Sequence, residues 1–120
     1  MRLLALRGAT TCDEDSKNEI EVKTQALVAA MLERNSIEHD DLVSIMFTAT
    51  DDLTAEFPAT AARALGLGDV PLICARELNI THGMPRTIRV MMHFYGEQKR
   101  VDLHHVYHEN ARSLRDDLPE

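Results

Sequence analysis

The stretch that most constrains this chain is T-I-R-V-M-M-H-F, residues 87–94. Its even-numbered positions, from Ile88 to Phe94, are all apolar, and alternation with a period of two predicts a half-buried β-strand. Arg89 lies in the middle of the opposite face, between two β-branched neighbours. Burying a guanidinium without a partner is costly, so Arg89 needs an anion. The pattern leaves two choices, a carboxylate of this chain or an anion from outside.

The length of 120 residues and the hydrophobic fraction of 44% are typical of one globular domain, which we place at residues 1–120. Residues 109–120 form a charged C-terminal tail that we expect to be mobile. The net charge of −7 argues against a nucleic-acid surface, because phosphate binding needs a basic face. No apolar run approaches the ~20 residues that span a membrane, and the N-terminus is typical of a strand rather than a signal peptide. These features predict a cytoplasmic protein.

The hydrophobic pattern predicts the element order β-α-β-α-β-β-β. The predicted strands cover residues 2–11, 42–50, 70–78, 87–94 and 103–108, and the predicted helices cover 16–35 and 58–65. A capping box formed by Ser16 and Glu19 marks the start of the first helix. The sequence therefore predicts an α+β (α/β-like) fold, a five-stranded mixed sheet with two helices on one face. Because strand 42–50 is apolar on both faces, we expect a second subunit to cover the other face.

Several charged or polar side chains lie inside apolar segments, where they are candidates for a binding site. They are Arg7, Arg63, Glu77, Arg89, Tyr107 and Arg115. Several guanidinium groups with one carboxylate would make a pocket for a small dianion. The alternative is pairing with surface acids, which we prefer for Arg2, Arg34, Arg76 and Arg100. Glu77 could be a general base or the structural partner of Arg89, and periodicity does not choose between them.

The histidines and cysteines give no convincing metal site or nucleophile. In H-H-V-Y-H, residues 104–108, a strand would direct His104 and His108 to one side and His105 to the other. Two ligands without a nearby acidic or cysteine third are weak support for zinc. Cys12 and Cys74 form no C-x-x-C motif, and no base is evident beside either thiol. We expect no metal and no cofactor.

Five blocks in order resemble a known family. They are R-G-A-T-T at 7–11, F-T-A-T-D-D-L-T-A-E-F-P-A at 47–59, V-P-L-I-C-A-R-E at 70–77, I-R-V-M-M-H at 88–93, and H-V-Y at 105–107 followed by L-R-D-D-L at 114–118. Together they are similar to the monofunctional chorismate mutases of the trimeric pseudo-α/β-barrel type. The similarity covers almost the whole chain, with small changes in spacing.

The resemblance implies a homotrimer that forms a pseudo-α/β barrel, with active sites at the subunit interfaces. It also implies a Claisen rearrangement of chorismate to prephenate, a step in aromatic amino acid biosynthesis that uses no cofactor, metal or covalent intermediate. This agrees with a sequence that offers arginines for a small dicarboxylate but no obvious nucleophile.

The resemblance also implies roles for individual residues. Arg89 would face the ether oxygen whose bond breaks, where negative charge develops in the transition state. Glu77 would hold the ring hydroxyl, with Cys74 beside it, and Arg7 and Tyr107 would contact carboxylates. Arg63 and Arg115 match mobile cationic side chains at the rim of the family's active site. Four residues match the walls of that pocket: Phe57, Ala59, Ile73 and Leu114.

This chain departs from the family pattern at a few positions. Thr60 stands where many members have Lys, and Asp116 replaces a frequent Pro, while His82 and Pro85 alter the turn before residue 87. Two other functions therefore stay open. One is a non-catalytic trimer that binds a carboxylate metabolite, which the Thr60 departure favours. The other is a hydrolase or deaminase on a similar trimeric fold, with Glu77 activating water.

Overall fold

The structure, a computed structural model, describes residues 1–114 of the chain. Five strands and two α-helices alternate along it as predicted. They are β1 (Arg2–Thr11), α1 (Lys17–Arg34), β2 (Leu42–Ala49), α2 (Ala59–Ala64), β3 (Leu72–Arg76), β4 (Thr87–Gly96) and β5 (Val106–Tyr107). Short 3-10 helices cover His39–Asp41, Arg100–Asp102 and Glu109–Leu114. The expected tail therefore begins with this last 3-10 helix, and its remaining residues 115–120, which include predicted site residue Arg115, lie outside the described residues.

The five strands form one mixed sheet in the order β3-β2-β4-β1-β5. Strand β4 is antiparallel to both of its neighbours, whereas the pairs β1/β5 and β2/β3 are parallel. The alternation in β4 is confirmed, because its apolar face from Ile88 to Phe94 is buried. Helices α1 and α2 contribute to the same core cluster as this face, so the α+β prediction is confirmed.

Gly8 of β1 shows why the sheet and α1 can lie so close together. A Cβ at this position would lie 2.5 Å from Met31 Sδ and 3.2 Å from Leu27 Cδ1. Both are fully buried residues of α1. A larger residue would force Met31 and Leu27 to shift, so the glycine favours close helix–sheet packing beneath the strand that carries Arg7.

The start of α1 confirms half of the predicted capping box. Ser16 Oγ accepts a hydrogen bond from the Glu19 amide at 3.1 Å. The reciprocal bond was predicted wrongly, because the Glu19 carboxylate accepts from the Asp13 amide at 2.8 Å instead. The Ser16 amide donates to the Glu14 carbonyl, so a turn before the helix satisfies it. Asn35 ends the helix as predicted.

Strands β3 and β5 are shorter than predicted by several residues, and the late start of each has an identifiable reason. Strand β3 begins after Pro71, which has no N–H to donate to a ladder, although its carbonyl still accepts from Ile45. Strand β5 begins only at Val106 because the Asn35 side chain forms hydrogen bonds with both the amide and the carbonyl of His104, which are then not available to a strand ladder. Its Oδ1 accepts from the His104 amide at 2.7 Å, and its Nδ2 donates to the His104 carbonyl at 2.9 Å.

The sheet face away from the helices carries large apolar side chains. Among the described residues, Leu3, Met46, Ile73 and Tyr95 are each exposed by 45% or more. The expectation that β2 is buried on both faces is therefore not met inside one chain, where Met46 is 45% exposed. We call this surface the open face.

Candidate active site

A cavity of about 370 Å³ opens on the open face around Arg89, and we call it the Arg89 cavity. Its lining residues come from four strands and the last 3-10 helix: Arg7, Gly8, Ala9, Met46, Thr48, Arg89, Val90, Met91, Tyr107 and Leu114. The strand register creates the central row. Ala9 pairs with Tyr107 on one side and Arg89 on the other, and Arg89 pairs in turn with Thr48.

Arg89 has a partner inside the chain. Its Nε lies 3.1 Å from Glu77 Oε2, so the internal carboxylate, one of the two choices left open by the sequence, does pair with it. The Thr48 hydroxyl donates to the same oxygen at 2.6 Å, and the Glu77 amide donates to the Ala49 carbonyl at 3.0 Å. These contacts fix Glu77 beside β2. The Arg89 side chain is 55% exposed, so it reaches out of the sheet and is not buried in it.

The other predicted ligands of this cavity are held by the C-terminal part of the described chain. The Arg7 amide donates to His105 Nδ1 at 3.0 Å, which links β1 to the segment before β5. Tyr107 is buried and packs with Ala9, and Leu114 covers that small cluster. The Arg7 side chain and the Tyr107 ring thus lie on the same cavity as Arg89.

The 3-10 helix Glu109–Leu114 is tied to the body of the protein at its first turn. The Asn110 amide donates to Thr11 Oγ1 at 3.1 Å, and the Lys23 ammonium of α1 donates to the Glu109 carboxylate. This hydrogen bond is the main cause that raises the pKa of Lys23 and lowers the pKa of Glu109. Leu114, at the end of this helix, reaches the Arg89 cavity from an anchored segment.

A second concave surface of about 440 Å³ runs along edge strand β3, and we call it the Phe57 groove. It is lined by the end of β2, the β2–α2 loop and the second half of β3: Ala49, Leu53, Thr54, Ala55, Glu56, Phe57, Pro58, Cys74, Ala75 and Arg76. The Phe57 side chain is 66% exposed, and Cys74 is half-buried. Two of the predicted substrate-binding residues therefore lie here.

The Arg89 cavity and the Phe57 groove share no lining residue. Cys74 packs against the core on the helix side of β3, whereas Glu77 bonds to Thr48 on the open face. Within one chain, the structure brings Arg7, Glu77, Arg89, Tyr107 and Leu114 together and leaves Phe57 and Cys74 elsewhere.

The remaining predicted residues lie around α2 and on β3. Ala59 is buried in the core, and Ile73 is 59% exposed on the open face. The Thr60 hydroxyl accepts from Arg63 Nη2 at 3.4 Å and donates to Glu56 Oε1 at 3.3 Å. Thr60 therefore joins a polar network at the start of α2.

Sequence reasoning missed two residues that organise these surfaces. Thr48 follows the open-face alternation of β2, but its pairing with Arg89 depends on a register that the sequence did not reveal. Arg76 was assigned to surface pairing. Its Nε does lie 3.8 Å from Asp51 Oδ1, but its Nη1 also donates to the carbonyls of Thr50 and Leu53.

Within residues 1–114, no group of three or more His, Cys, Asp or Glu side chains is arranged to hold a metal ion. Cys12 is buried beneath α1, and burial is the main reason that its thiol pKa rises to about 11. No helix in the described part of the chain is long and apolar enough to cross a membrane.

The family model for chorismate mutase type I matches residues 3–118. Chorismate mutase AroH of Thermus thermophilus is 41% identical over 114 residues, covering 94% of this chain and 93% of that protein. AroH of Bacillus subtilis (strain 168) is 40% identical over 119 residues, covering 98% and 94%. A solved chorismate mutase from Clostridium thermocellum has a TM-score of 0.90 at 42% identity, covering 92% of this chain and 98% of that one. This chain therefore belongs to the type I chorismate mutase family.

Proposed function

We propose that this isomerase of the chorismate mutase family converts chorismate to prephenate in the Arg89 cavity, for aromatic amino acid biosynthesis. The observation that carries this proposal is the arrangement of Arg89, Glu77 and Thr48 at 2.6–3.1 Å, beside Arg7 and Tyr107. The cavity thus offers two guanidinium groups and a phenol, and the Glu77 carboxylate is held beside it by Arg89 and Thr48. Such a set suits a small dicarboxylate that also carries a hydroxyl group.

The proposed chemistry is a rearrangement inside one substrate molecule. The ether C–O bond breaks while a new C–C bond forms, and no proton is transferred. Negative charge builds on the ether oxygen as its bond lengthens. A guanidinium already in place stabilises that charge without reorganisation, which is the role proposed for Arg89. Its pairing through Nε is compatible with this role, since Arg has further N–H groups on Nη1 and Nη2.

Glu77 is proposed to accept a hydrogen bond from the ring hydroxyl of the substrate. One oxygen of its carboxylate, Oε2, already pairs with the Arg89 guanidinium and accepts a hydrogen bond from the Thr48 hydroxyl. These contacts favour a fixed acceptor over a mobile general base, and so favour the mutase over the hydrolase alternative. Arg7 and Tyr107 are proposed to hold substrate carboxylates, and the apolar side chain of Leu114 helps hold the folded reactive conformer.

The complete site is proposed to form between subunits of a homotrimer. Phe57 and Cys74 line a groove that is separate from the Arg89 cavity in one chain. The open face exposes Met46, and edge strand β3 exposes Ile73, both apolar surfaces that another subunit can cover. A neighbouring subunit that brings its Phe57 groove against the Arg89 cavity would supply the missing walls.

The direct test is turnover by the purified protein. Chorismate absorbance should fall and prephenate should appear, without added metal or cofactor. Because no proton moves, the rate should lack a bell-shaped pH profile governed by a general base. Saturable chorismate binding without product would favour the carboxylate-binding alternative, and a base-governed bell with a hydrolysed product would favour the hydrolase. The cytoplasmic location stays a prediction.

A further inference from the structure

The loop that joins β2 to α2, residues 50–58, is held at its centre by a residue that precedes α1. Asp15 Oδ1 accepts hydrogen bonds from the amides of Thr54 and Ala55 at 2.9 and 3.0 Å. Its Oδ2 accepts from the Thr54 hydroxyl at 2.8 Å. One carboxylate thus satisfies two backbone donors and one side-chain donor of the loop. Hydrogen bonds to a charged acceptor are roughly twice as strong as neutral ones.

Arg76 of β3 holds the same loop at other residues. Its Nη1 donates to the Thr50 carbonyl at 2.6 Å and to the Leu53 carbonyl at 3.0 Å. Its Nε lies 3.8 Å from Asp51 Oδ1. The guanidinium therefore spans the first half of the loop, while Asp15 spans the second half. Leu53, whose carbonyl accepts one of these hydrogen bonds, has a buried side chain.

Phe57 depends on this loop for its position. Its side chain is 66% exposed, so burial in its own chain does not fix it. The helix that follows, α2, has Pro58 as an N-cap without a side-chain hydrogen bond and is only six residues long. Fixing one residue of a flexible loop costs roughly 1–2 kcal/mol of backbone entropy. Two backbone contacts hold Phe57 locally, its amide donating to Glu56 Oε1 at 2.9 Å and its carbonyl accepting from the Thr60 amide at 3.0 Å. The charge-assisted bonds of Asp15 and Arg76 add to these contacts and help to offset the cost of ordering the rest of the loop.

We propose that Asp15 and Arg76 are positioning residues, which fix the 50–58 loop so that Phe57 forms a ready-made wall of the substrate site. The inference deepens the proposed function and rests on it. Neither residue needs to touch the substrate. Their effect on the reaction passes through Phe57, which would hold the reactive conformer against the charges of the Arg89 cavity.

The test compares Arg76→Met in the native chain and in a Phe57→Ala chain. Methionine keeps an apolar stem and removes every donor. In the native chain, kcat/KM should fall on the order of tenfold, the size expected for losing charge-assisted hydrogen bonds. In the Phe57→Ala chain, the same substitution should change kcat/KM little, because the wall it positions is already gone. Arg100→Met, on the exposed 3-10 helix Arg100–Asp102, is the matched control and should retain native activity.

Amide exchange supplies a second readout that a general loss of stability would not mimic. Asp15→Ala should speed hydrogen exchange at the Thr54 and Ala55 amides while leaving the β4 ladder protected. Arg76→Lys, which keeps a charge and a donor, should recover part of the activity lost in Arg76→Met. If Arg76→Met folds poorly, Arg76→Lys can replace it in the comparison between the native and Phe57→Ala chains.

Native kcat/KM in Arg76→Met would overturn the inference. An equal loss in the native and Phe57→Ala chains would do the same, since Arg76 would then act independently of Phe57. Failure of the proposed function is a separate result, visible as absent turnover in the unsubstituted protein.

Discussion

The Arg89 cavity and the Phe57 groove are built in different ways. In the cavity, a row of cross-strand neighbours from four strands places Tyr107, Ala9, Arg89 and Thr48 side by side. In the groove, Phe57 is carried by a loop whose shape depends on bonds from Asp15 and Arg76. The sheet therefore positions the charged groups of the proposed site, whereas a hydrogen-bonded loop positions the proposed wall residue Phe57.

This difference matches what each part has to do. A charge that stabilises a transition state must already be in place, because reorganisation would consume the benefit. A ladder of backbone hydrogen bonds provides that rigidity, and it also fixes Glu77 through the Ala49 carbonyl. A wall contributes by restricting conformers, so a small displacement costs less. Substitutions in the cavity should therefore reduce activity more than substitutions in the loop.

The largest expected effect is that of Arg89→Ala. Removing a fixed donor to the developing oxyanion costs about 10²–10³ in kcat in comparable enzymes, and we expect a loss of at least this size. Arg89→Lys should also be poor, since a point charge does not reproduce the planar fork. Steady-state kinetics on chorismate measures both.

Arg100→Ala serves as the control for Arg89→Ala, because Arg100 is exposed on a 3-10 helix outside the cavity lining. A fully active Arg89→Ala protein would remove the proposed mechanism. Circular dichroism should show an unchanged fold in both variants, since Arg89 is mostly exposed.

Thr48→Val should have an intermediate effect. Valine keeps the shape but removes the hydroxyl that donates to Glu77 Oε2 at 2.6 Å. Hydrogen bonds to charged groups contribute about 1.5–3 kcal/mol, so kcat/KM should fall by roughly tenfold or more. Thr81→Val, on the exposed β3–β4 turn, is the matched control. Equal activity of the two variants would mean that Thr48 does not orient Glu77.

The smallest expected effect is a pH-dependent contribution of Asp15 to stability. The Thr54 hydroxyl bond, followed by the backbone bonds, lowers the pKa of Asp15 below its ordinary value of 3.8. A carboxyl whose folded pKa is lowered stabilises the fold above its unfolded pKa and loses that contribution as pH falls through the folded pKa.

Thermal melts of the native protein and Asp15→Asn from pH 7 down to pH 3 test this contribution. The native protein should melt higher at neutral pH, and the gap should close below about pH 4. A gap that stays constant across this range would show that the Asp15 charge does not brace the loop.

The sequence predicted the architecture well because that information is local. Alternation from Ile88 to Phe94 and the cap at Ser16 are properties of neighbouring residues, and both are found in the structure. Cross-strand relations were not accessible in this way. The Glu77–Arg89 pair was one of two open choices, and the role of Thr48 required the β2–β4 register.

Interactions between side chains and distant backbone were also missed. Arg76 looked like a surface charge because its carbonyl partners follow a strand 23–26 residues earlier. Asn35 shortened β5 through bonds to His104, 69 residues away in the chain. Family resemblance grouped Phe57 and Cys74 with Arg89, but within one chain they line different surfaces.

The central claim is that one active site combines the Arg89 cavity of one subunit with the Phe57 groove of another. The most direct measurement co-expresses two inactive chains, Arg89→Ala and Phe57→Asp, the second placing a carboxylate where a dianion must bind. In a ring-shaped trimer, each site would take its cavity from one subunit and its groove from the next. If the two chains mix randomly in equal amounts, the cavity is intact in half of the sites and the groove in half, so about one quarter of the sites have both intact. We predict activity near that fraction of the native rate, whereas a mixture as inactive as its parents would contradict the account.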